Sequence, residues 1–432
     1  MSQVRDLFFD EFYAELEAVA RDIEASPEDP SAPSALKEDV LHRWIPQVSD
    51  EEDRPEALIS VDGGVQYSSF AYGGFVAVGR AVAITHRRGK NRSLTKHVKI
   101  HVQDVYDNRD RGFIPGYVRT IAEYRAAHDA ALKVLDEGGV PVVLMDGSLY
   151  LARFPYAIRE YSHHPGLLRE LFNSMADLRC LSRDRGFPLA GVAKDSTVFY
   201  LHMQLLKDAA RRAGLGRLDP LIQDASSPMD LRLRMDRWDQ ADKQSLEPFL
   251  DRRPLCDTLL VDSCAPAEGY THPLLLAPSL YYGREDAPAL YTRIKRSLPE
   301  ETAEGIIGSM RHFFGCPGVS VIYWRPTRAA RPFRVDLTAS MLGHPEPWVS
   351  EAGNRFLESD ADLGPLEGVL NHLAHWYCND IEYNIPLKQA DTLAHFDRAL
   401  YSGKYEPFIV RRLEEAGMDI RGTRRSLREL NG

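Results

Sequence analysis

Two carboxylates stand where the chain could put them to chemical use. Ala57–Gly64 reads ALISVDGG, a short apolar, β-branched run that closes on Asp62 and two glycines. Val140–Tyr150 reads VPVVLMDGSLY and again closes an apolar run on an acid, Asp146, followed by Gly147 and Ser148. An apolar run of this length bounded by turn residues reads as a buried strand. Two such strands side by side would deliver both carboxylates to one place. Carboxylate oxygens are the ligands that Mg²⁺ and Mn²⁺ take. Taken singly, each Asp could equally cap its turn by accepting backbone N–H groups; their pairing favours a metal.

The elements between the two acids set their relation. From Ala57 to Arg88 aromatic, Val and Ala positions alternate with Gly, as in an antiparallel meander, and His97–Val105 adds a further strand. Tyr117–Glu137 then has helical periodicity, with Ile121, Tyr124, His128, Ala131 and Leu135 on one stripe and Glu123 on another face. An Asp-bearing strand that opens a meander, a Glu-bearing helix and a second Asp-bearing strand follow the order of acids in RNase H-like nucleases. In that architecture three or four carboxylates hold two divalent ions about 4 Å apart. Glu123 therefore reads as a third ligand, or as part of a solvated helix face.

Downstream, Pro188–Ser196 reads as a strand ending in Lys194 and Asp195, between helices at Gly166–Arg185 and Thr197–Ala213. Alternating strands and helices predict parallel pairing through crossover helices. Leu215–Pro254 is charge-mixed and reads as a helical or irregular insertion. Thr258–Val261 and Pro273–Ala277 read as short strands, Glu300–Phe314 as a helix, and VSVIYWRPTRAARPFRVDL as an Arg-rich hairpin. Leu363–Cys378 is a further helix, and YNIPLKQADTLAHF docks one more behind a Pro. At the other end, Val4–Ala25 places Leu7, Phe8, Phe12, Leu16, Val19 and Ile23 at helical spacing, and Ser26–Ser34 is a Pro/Ser linker. That helix packs on its own domain or on a second subunit.

The bulk properties bound the class. At 432 residues the chain needs one large elaborated domain or two. A net charge of −10 argues against coating nucleic acid by charge alone, because phosphate neutralisation needs clustered Lys and Arg. It leaves room for an enzyme that keeps acids at a metal centre beside a local basic strip. No apolar run is long enough for a membrane span, and the acid-containing start MSQVRDLFFDEF is no secretory signal. Cys180, Cys256, Cys264, Cys316 and Cys378 are odd in number and lack CxxC spacing, which predicts a reducing cytoplasm and no structural zinc.

Several of these stretches, in this order, resemble the NurA nucleases: SVDGG at Ser60–Gly64, VLMDGSL at Val143–Leu149, GVAKDS at Gly191–Ser196, the VIYWRP…RPFRVDL hairpin, and YNIPLKQAD at Tyr383–Asp391. The resemblance spans about Ala57 to Asp397. It implies an α/β fold with an RNase H-like mixed sheet, antiparallel meander plus parallel strands, flanked by helices. It also implies a manganese-dependent nuclease, with Mg²⁺ as the other candidate, acting on single-stranded DNA and on 5′ ends in double-strand break repair. A homodimer and a HerA-type hexameric translocase come with it as partners. By position, Asp62 and Asp146 match the family's catalytic carboxylates, and Tyr383 the tyrosine of its C-terminal motif. Glu123 is the choice for the helix-borne Glu, with Glu137 as fallback. Two departures occur: Asp391 stands where the family has His, and Asn384 follows Tyr383 where Pro is common. Asp391 is still an oxygen ligand, but an exposed Asp titrates too low for an imidazole's proton transfer; His395, one turn later, is the substitute.

On these grounds the expected organisation is an N-terminal helix and linker over 1–34, a nuclease domain over 35–400 with a charged insertion around 215–254, and a tail over 401–432. Asp62, Asp146, Glu123, Asp391 and Tyr383 form the expected catalytic set. Lys194, Arg325, Arg328, Arg331 and Arg334 are the expected DNA contacts, against a solvated hairpin or a turn pair. Three functions fit: a two-metal DNA nuclease, another phosphoryl transferase of the same fold, and a catalytically degenerate adaptor that keeps the partner surface.

Overall fold

The computed structural model describes residues 8–24, 34–47, 55–70, 74–103, 108–151, 165–235, 238, 240–250, 254–278, 288–358 and 361–418. Its strands are β1 (Trp44–Ile45), β2 (Ala57–Ser69), β3 (Phe75–Arg87), β4 (Ser93–Gln103), β5 (Pro141–Asp146), β6 (Leu189–Ala193), β7 (Gly269–Thr271), β8 (Leu274–Leu276), β9 (Val319–Arg325), β10 (Phe333–Thr338) and β11 (Arg355–Phe356). They form one sheet in the order β4-β3-β2-β5-β6-β10-β9-β7-β1, with β8 paired to β9 and β11 to β8.

The half that carries the two acids has the expected arrangement of an antiparallel meander continued by parallel strands. β2 pairs antiparallel with β3 and β3 with β4, while β2 pairs in parallel with β5 and β5 with β6. The first residues of β2 are buried on both faces because β2 lies between β3 and β5 and is covered above and below. β4 closes that end of the sheet and alternates between buried and exposed positions, as an edge strand with one packed face does.

Each face of the sheet has its own core. On one side Ile59, Val61, Val143 and Met145 pack against Ile121, Ala126 and Val134 of the Asn108–Asp136 helix, with the Pro165–Arg185 and Glu300–Gly315 helices behind it. On the other, Leu58, Leu144, Val192 and Val335 pack against Leu366, Leu370 and Leu387 of the Gly364–His375 and Ile385–Ala394 helices. Residues of even number on β2 and β5 thus face the C-terminal helices, which is what places Asp62 and Asp146 on that side.

Several expectations change on contact with the structure. Thr258–Val261 lies in a helix, Asp257–Cys264, because a short apolar run has no period to tell strand from helix. The helix Pro288–Ser297 and the strands β1, β7 and β11 are additional. Residues of the supposed tail form a π turn, Tyr401–Tyr405, and a helix, Glu406–Glu415, whose apolar side chains pack on Val76 and Val78. Cys180 and Cys316 form a disulfide, so the cysteines give no support to a reducing compartment. A separation of 136 residues hides that pair from any local spacing rule. In the N-terminal helix, Phe9–Glu24, the stripe Phe8, Phe12 and Leu16 is exposed, not packed on the domain. The Pro/Ser linker falls outside the described residues apart from Ser34. Among the described residues no helix is long and apolar enough to cross a membrane.

Gly64 sets the distance between the sheet and the C-terminal helix. A Cβ there would stand 2.7 Å from the Ala394 carbonyl oxygen and 3.0 Å from Cβ of Phe396. Gly64→Ala must therefore push the helix off β2, and urea denaturation should show a loss of about 1–3 kcal/mol; an unchanged midpoint would mean the helix is not seated as described.

Candidate metal centre

Asp62 and Asp146 each stand one residue beyond the last parallel pair of β2 and β5, Val61 and Met145. Neighbouring strands lie about 4.8 Å apart, so equal register on one face sets the two side chains next to each other at the point where β5 stops and β2 continues. Asp62 accepts the backbone N–H of Gly63 at 2.7 Å. Asp146 accepts from Lys194 at 2.9 Å, and Lys194 comes from the end of β6, the strand beside β5.

Glu123 arrives from the opposite face. It projects from the Asn108–Asp136 helix and is buried. It reaches the site because Gly63 has no side chain: a Cβ there would lie 2.8 Å from both Cγ and Oε1 of Glu123. Its Oε1 is buried and accepts no hydrogen bond, and the Nε of Arg119 stands 3.3 Å away outside bonding geometry. Glu137, the fallback, is exposed at the far end of the same helix and pairs with Arg87 and Lys90.

The C-terminal segment closes the site. Asn384 caps the Ile385–Ala394 helix by accepting the N–H of Leu387 at 3.1 Å, a role that the family's usual Pro could not fill with a side chain. One residue earlier the Tyr383 ring is buried, with the Lys194 ammonium 4.3 Å from its centroid. Burial and then the neighbouring Asp146 carboxylate push the Tyr383 phenol far up, so it stays a neutral hydroxyl at any working pH. Two turns into the helix, Asp391 pairs with Lys388 at 2.7 Å. That ammonium holds the Asp391 carboxyl below the usual range, with a smaller contribution from a hydrogen bond with Asp62. His395 is exposed at the end of the helix.

The site is thus a cluster of four acids with Lys194 beside Asp146, Lys388 beside Asp391 and Arg119 beside Glu123. Burial, then the Asp146 carboxylate, raises Asp62 from 3.8 to about 7, and Glu123 and Asp391 add to the effect against the Gly63 N–H. Burial also raises Glu123, with Asp146 adding to it and Arg119 opposing. Asp62 and Glu123, both raised by burial and by the Asp146 carboxylate, suit a divalent cation with oxygen ligands: Asp62, Asp146, Glu123 and Asp391 would hold Mn²⁺ or Mg²⁺ here by drawing in around it, since among the described residues no three of these acids offer oxygens that all lie within 4.8 Å of one another.

The arginines of the hairpin divide. Arg325 is buried and bonds Asp262 and the Ala265 carbonyl, and Arg334 is buried in a two-pronged pair with Asp336 at 2.7 and 2.9 Å. Neither can reach a DNA strand, which corrects the expected contact role. Arg328 and Arg331 are exposed on the hairpin turn.

What Arg334 does instead concerns the turn after Asp146. The Asp336 carboxylate accepts from Ser148 Oγ at 2.7 Å, Leu149 N at 3.0 Å and Tyr150 N at 3.2 Å. The pair therefore pins residues 148–150, directly behind a candidate ligand. Alternation in RPFRVDL, which sets Arg334 and Asp336 on one face of β10, was the available signal.

Comparison with known proteins follows this geometry. The NurA domain family model matches residues 56–394, a span that contains Asp62, Glu123, Asp146, Tyr383 and Asp391. A search of the curated proteins finds no match. Among solved structures, one described as the crystal structure of NurA is similar at 13% identity, covering 95% of this chain and 97% of that chain with a TM-score of 0.42. The catalytic domain of human endonuclease V is similar at 12% identity, covering 83% and 91%, with a TM-score of 0.23.

In the metal-free protein the raised Asp62 makes stability depend on pH. Between the unfolded value of 3.8 and the folded value of about 7, the folded state keeps a proton that the unfolded chain releases. Stability therefore falls as pH rises through this window, by at most about 4 kcal/mol, and levels off above it. Denaturation of the chelator-treated chain at pH 5 and pH 8 should show the loss in wild type and a smaller one in Asp62→Asn; equal losses would contradict the assignment. Asp336→Ala leaves Arg334 buried without its partner, and its denaturation midpoint should report a loss of about 3–5 kcal/mol.

Proposed function

The chain belongs to the NurA family, and from that premise we propose that it is a metal-dependent nuclease that cuts single-stranded DNA and degrades DNA from 5′ ends. The observation that carries this reading is the approach of Asp62, Asp146, Glu123 and Asp391 to one another, from two strands and two helices on opposite faces of the sheet, with the buried Glu123 Oε1 accepting no hydrogen bond. Divalent cations bound by such a set would activate a water and neutralise the charge that develops on a phosphodiester and its leaving oxygen.

The chain's own residues support that chemistry in distinct ways. Asp62 and Asp146 sit on central strands, so their positions are fixed by the ladder and not by a loop. Asp146 shares its charge with Lys194, which stands at the site's edge and can turn to a phosphate oxygen when a cation takes over the carboxylate. Tyr383 holds Lys194 against its ring and offers a neutral hydroxyl beside Asp146. Asp391, kept ionised by Lys388, acts as a ligand and cannot pass a proton near neutral pH as the family's His would. The exposed Arg328 and Arg331 are available to a DNA backbone. A homodimer and a HerA-type hexameric translocase complete the proposal, and the exposed stripe Phe8, Phe12 and Leu16 is a surface for either.

Incubation of a labelled single-stranded oligonucleotide with the chain should give cleavage with Mn²⁺ and none with chelator. Asp62→Ala and Asp146→Ala should each lower the rate by at least about 100-fold, since even groups that only orient ligands cost 10–100-fold. Asp391→His should keep or raise the rate; loss of cleavage in that variant would show that the C-terminal motif is misaligned. Removal of the residues before Ser34 should reduce assembly, read by light scattering, more than it reduces cleavage.

A further inference from the structure

The strands that deliver Asp146 and Lys194 lead directly into the wall of a cavity of about 500 Å³. Tyr150, four residues past Asp146, and Thr197, three past Lys194, both line it. An extended chain spans at most about 3.5 Å per residue, so the wall begins within roughly 14 Å of the metal centre. Its volume falls in the range of small-molecule sites, about 300–1,000 Å³.

The lining combines two kinds of group. Tyr150, Phe199 and Tyr200 supply aromatic surface, with the Tyr150 and Tyr200 rings edge to face at 5.3 Å. The same helix that begins at Tyr200, Tyr200–Arg212, presents Gln204 and Lys207 on the face that carries Tyr200, one and two turns further along. Gln204 is 4% exposed; its Nε2 donates to Asp208 at 2.9 Å, while its Oε1 is buried without a partner among the described residues. Lys207 is 5% exposed and gives one of its three N–H groups to the Asn354 carbonyl at 3.0 Å. That oxygen is closed to solvent in the free protein, so a ligand meets it when the Gln204 amide turns toward the cavity; a buried acceptor left unmet is unfavourable, which favours the turn once a ligand donates to it.

We propose that this cavity takes an unstacked nucleobase of the DNA strand that crosses the metal centre, and that Gln204 selects for bases carrying an exocyclic amine. The inference rests on the nuclease reading of the adjacent acids. The base's π face would stack on the tyrosines, as bases do on aromatic platforms in single-strand binders. Its amino group would donate to Gln204 Oε1, and a ring nitrogen or carbonyl would accept from Lys207. Cytosine offers that amine; thymine presents a carbonyl in the same place.

Fluorescence anisotropy with labelled ten-residue deoxycytidine and thymidine oligomers, in chelator so that nothing is cut, tests this. Wild type should bind the cytidine oligomer about tenfold more tightly, the size of one good hydrogen bond. Gln204→Met should erase the preference, with a thermal melt that shows a folded chain. Equal binding of the two oligomers by wild type, or a preference that survives Gln204→Met, overturns the proposal. Cleavage with Mn²⁺ is read separately. A chain that cuts both oligomers without discriminating refutes the base site alone, whereas one that discriminates through Gln204 and never cuts upholds the base site and refutes the nuclease reading.

Discussion

Like charges brought together away from water repel, and this fold sets the buried Asp62 and Glu123 beside the partly exposed Asp146 and Asp391. Burial and the neighbouring Asp146 raise Asp62 to about 7, far from its ordinary 3.8, and burial raises Glu123 as well. A cluster like this is unfavourable for the chain by itself and becomes favourable when a cation is shared among the acids. The architecture can be understood as what it takes to hold them there. Asp62 and Asp146 are fixed by the parallel ladder of β2 and β5, Glu123 enters through the space at Gly63, and Asp391 is brought down by a helix that Gly64 allows to approach.

Rigidity around the site comes from a second buried group of charges. Arg334 and Asp336 lie on the same face of β10 and grip the turn at 148–150. Arg334 also stacks against Tyr200 at 5.1 Å, and Tyr323 donates to the buried Asp257, which receives the N–H groups at the start of the Tyr200–Arg212 helix. The turn behind Asp146 and the helix that walls the neighbouring cavity are thereby tied to one polar network. Since its members are paired, the network positions the site without competing for a metal.

How much of this could be read from the chain depended on whether a local pattern carried it. The two acid-ended strands were legible because each is an apolar run with an unmistakable end; the register that sets their acids level is seen only in the structure. Glu123 was legible only as one of two readings, ligand or solvated face, because on a helix an acid that faces a neighbouring strand's glycine has the same periodicity as one that faces water. Arg325 and Arg334 were misjudged because charge suggested solvent, while alternation along β9 and β10 turned them inward to Asp262 and Asp336. The disulfide between Cys180 and Cys316 depends on helix packing across 136 residues, which no spacing rule sees. Asp391 was placed by resemblance alone, and Lys388, three residues before it, explains why a carboxylate at that position stays charged.

The central claim is that Asp62, Asp146 and Glu123 grip a divalent cation together. Crystals soaked in Mn²⁺ and measured at a wavelength where manganese scatters anomalously test it most directly. The account predicts an anomalous peak bounded by carboxylate oxygens of all three, at the distances of about 2.0–2.6 Å that hard cations keep to oxygen ligands. Manganese found only at other sites, or none at this cluster at saturating concentration, would contradict it.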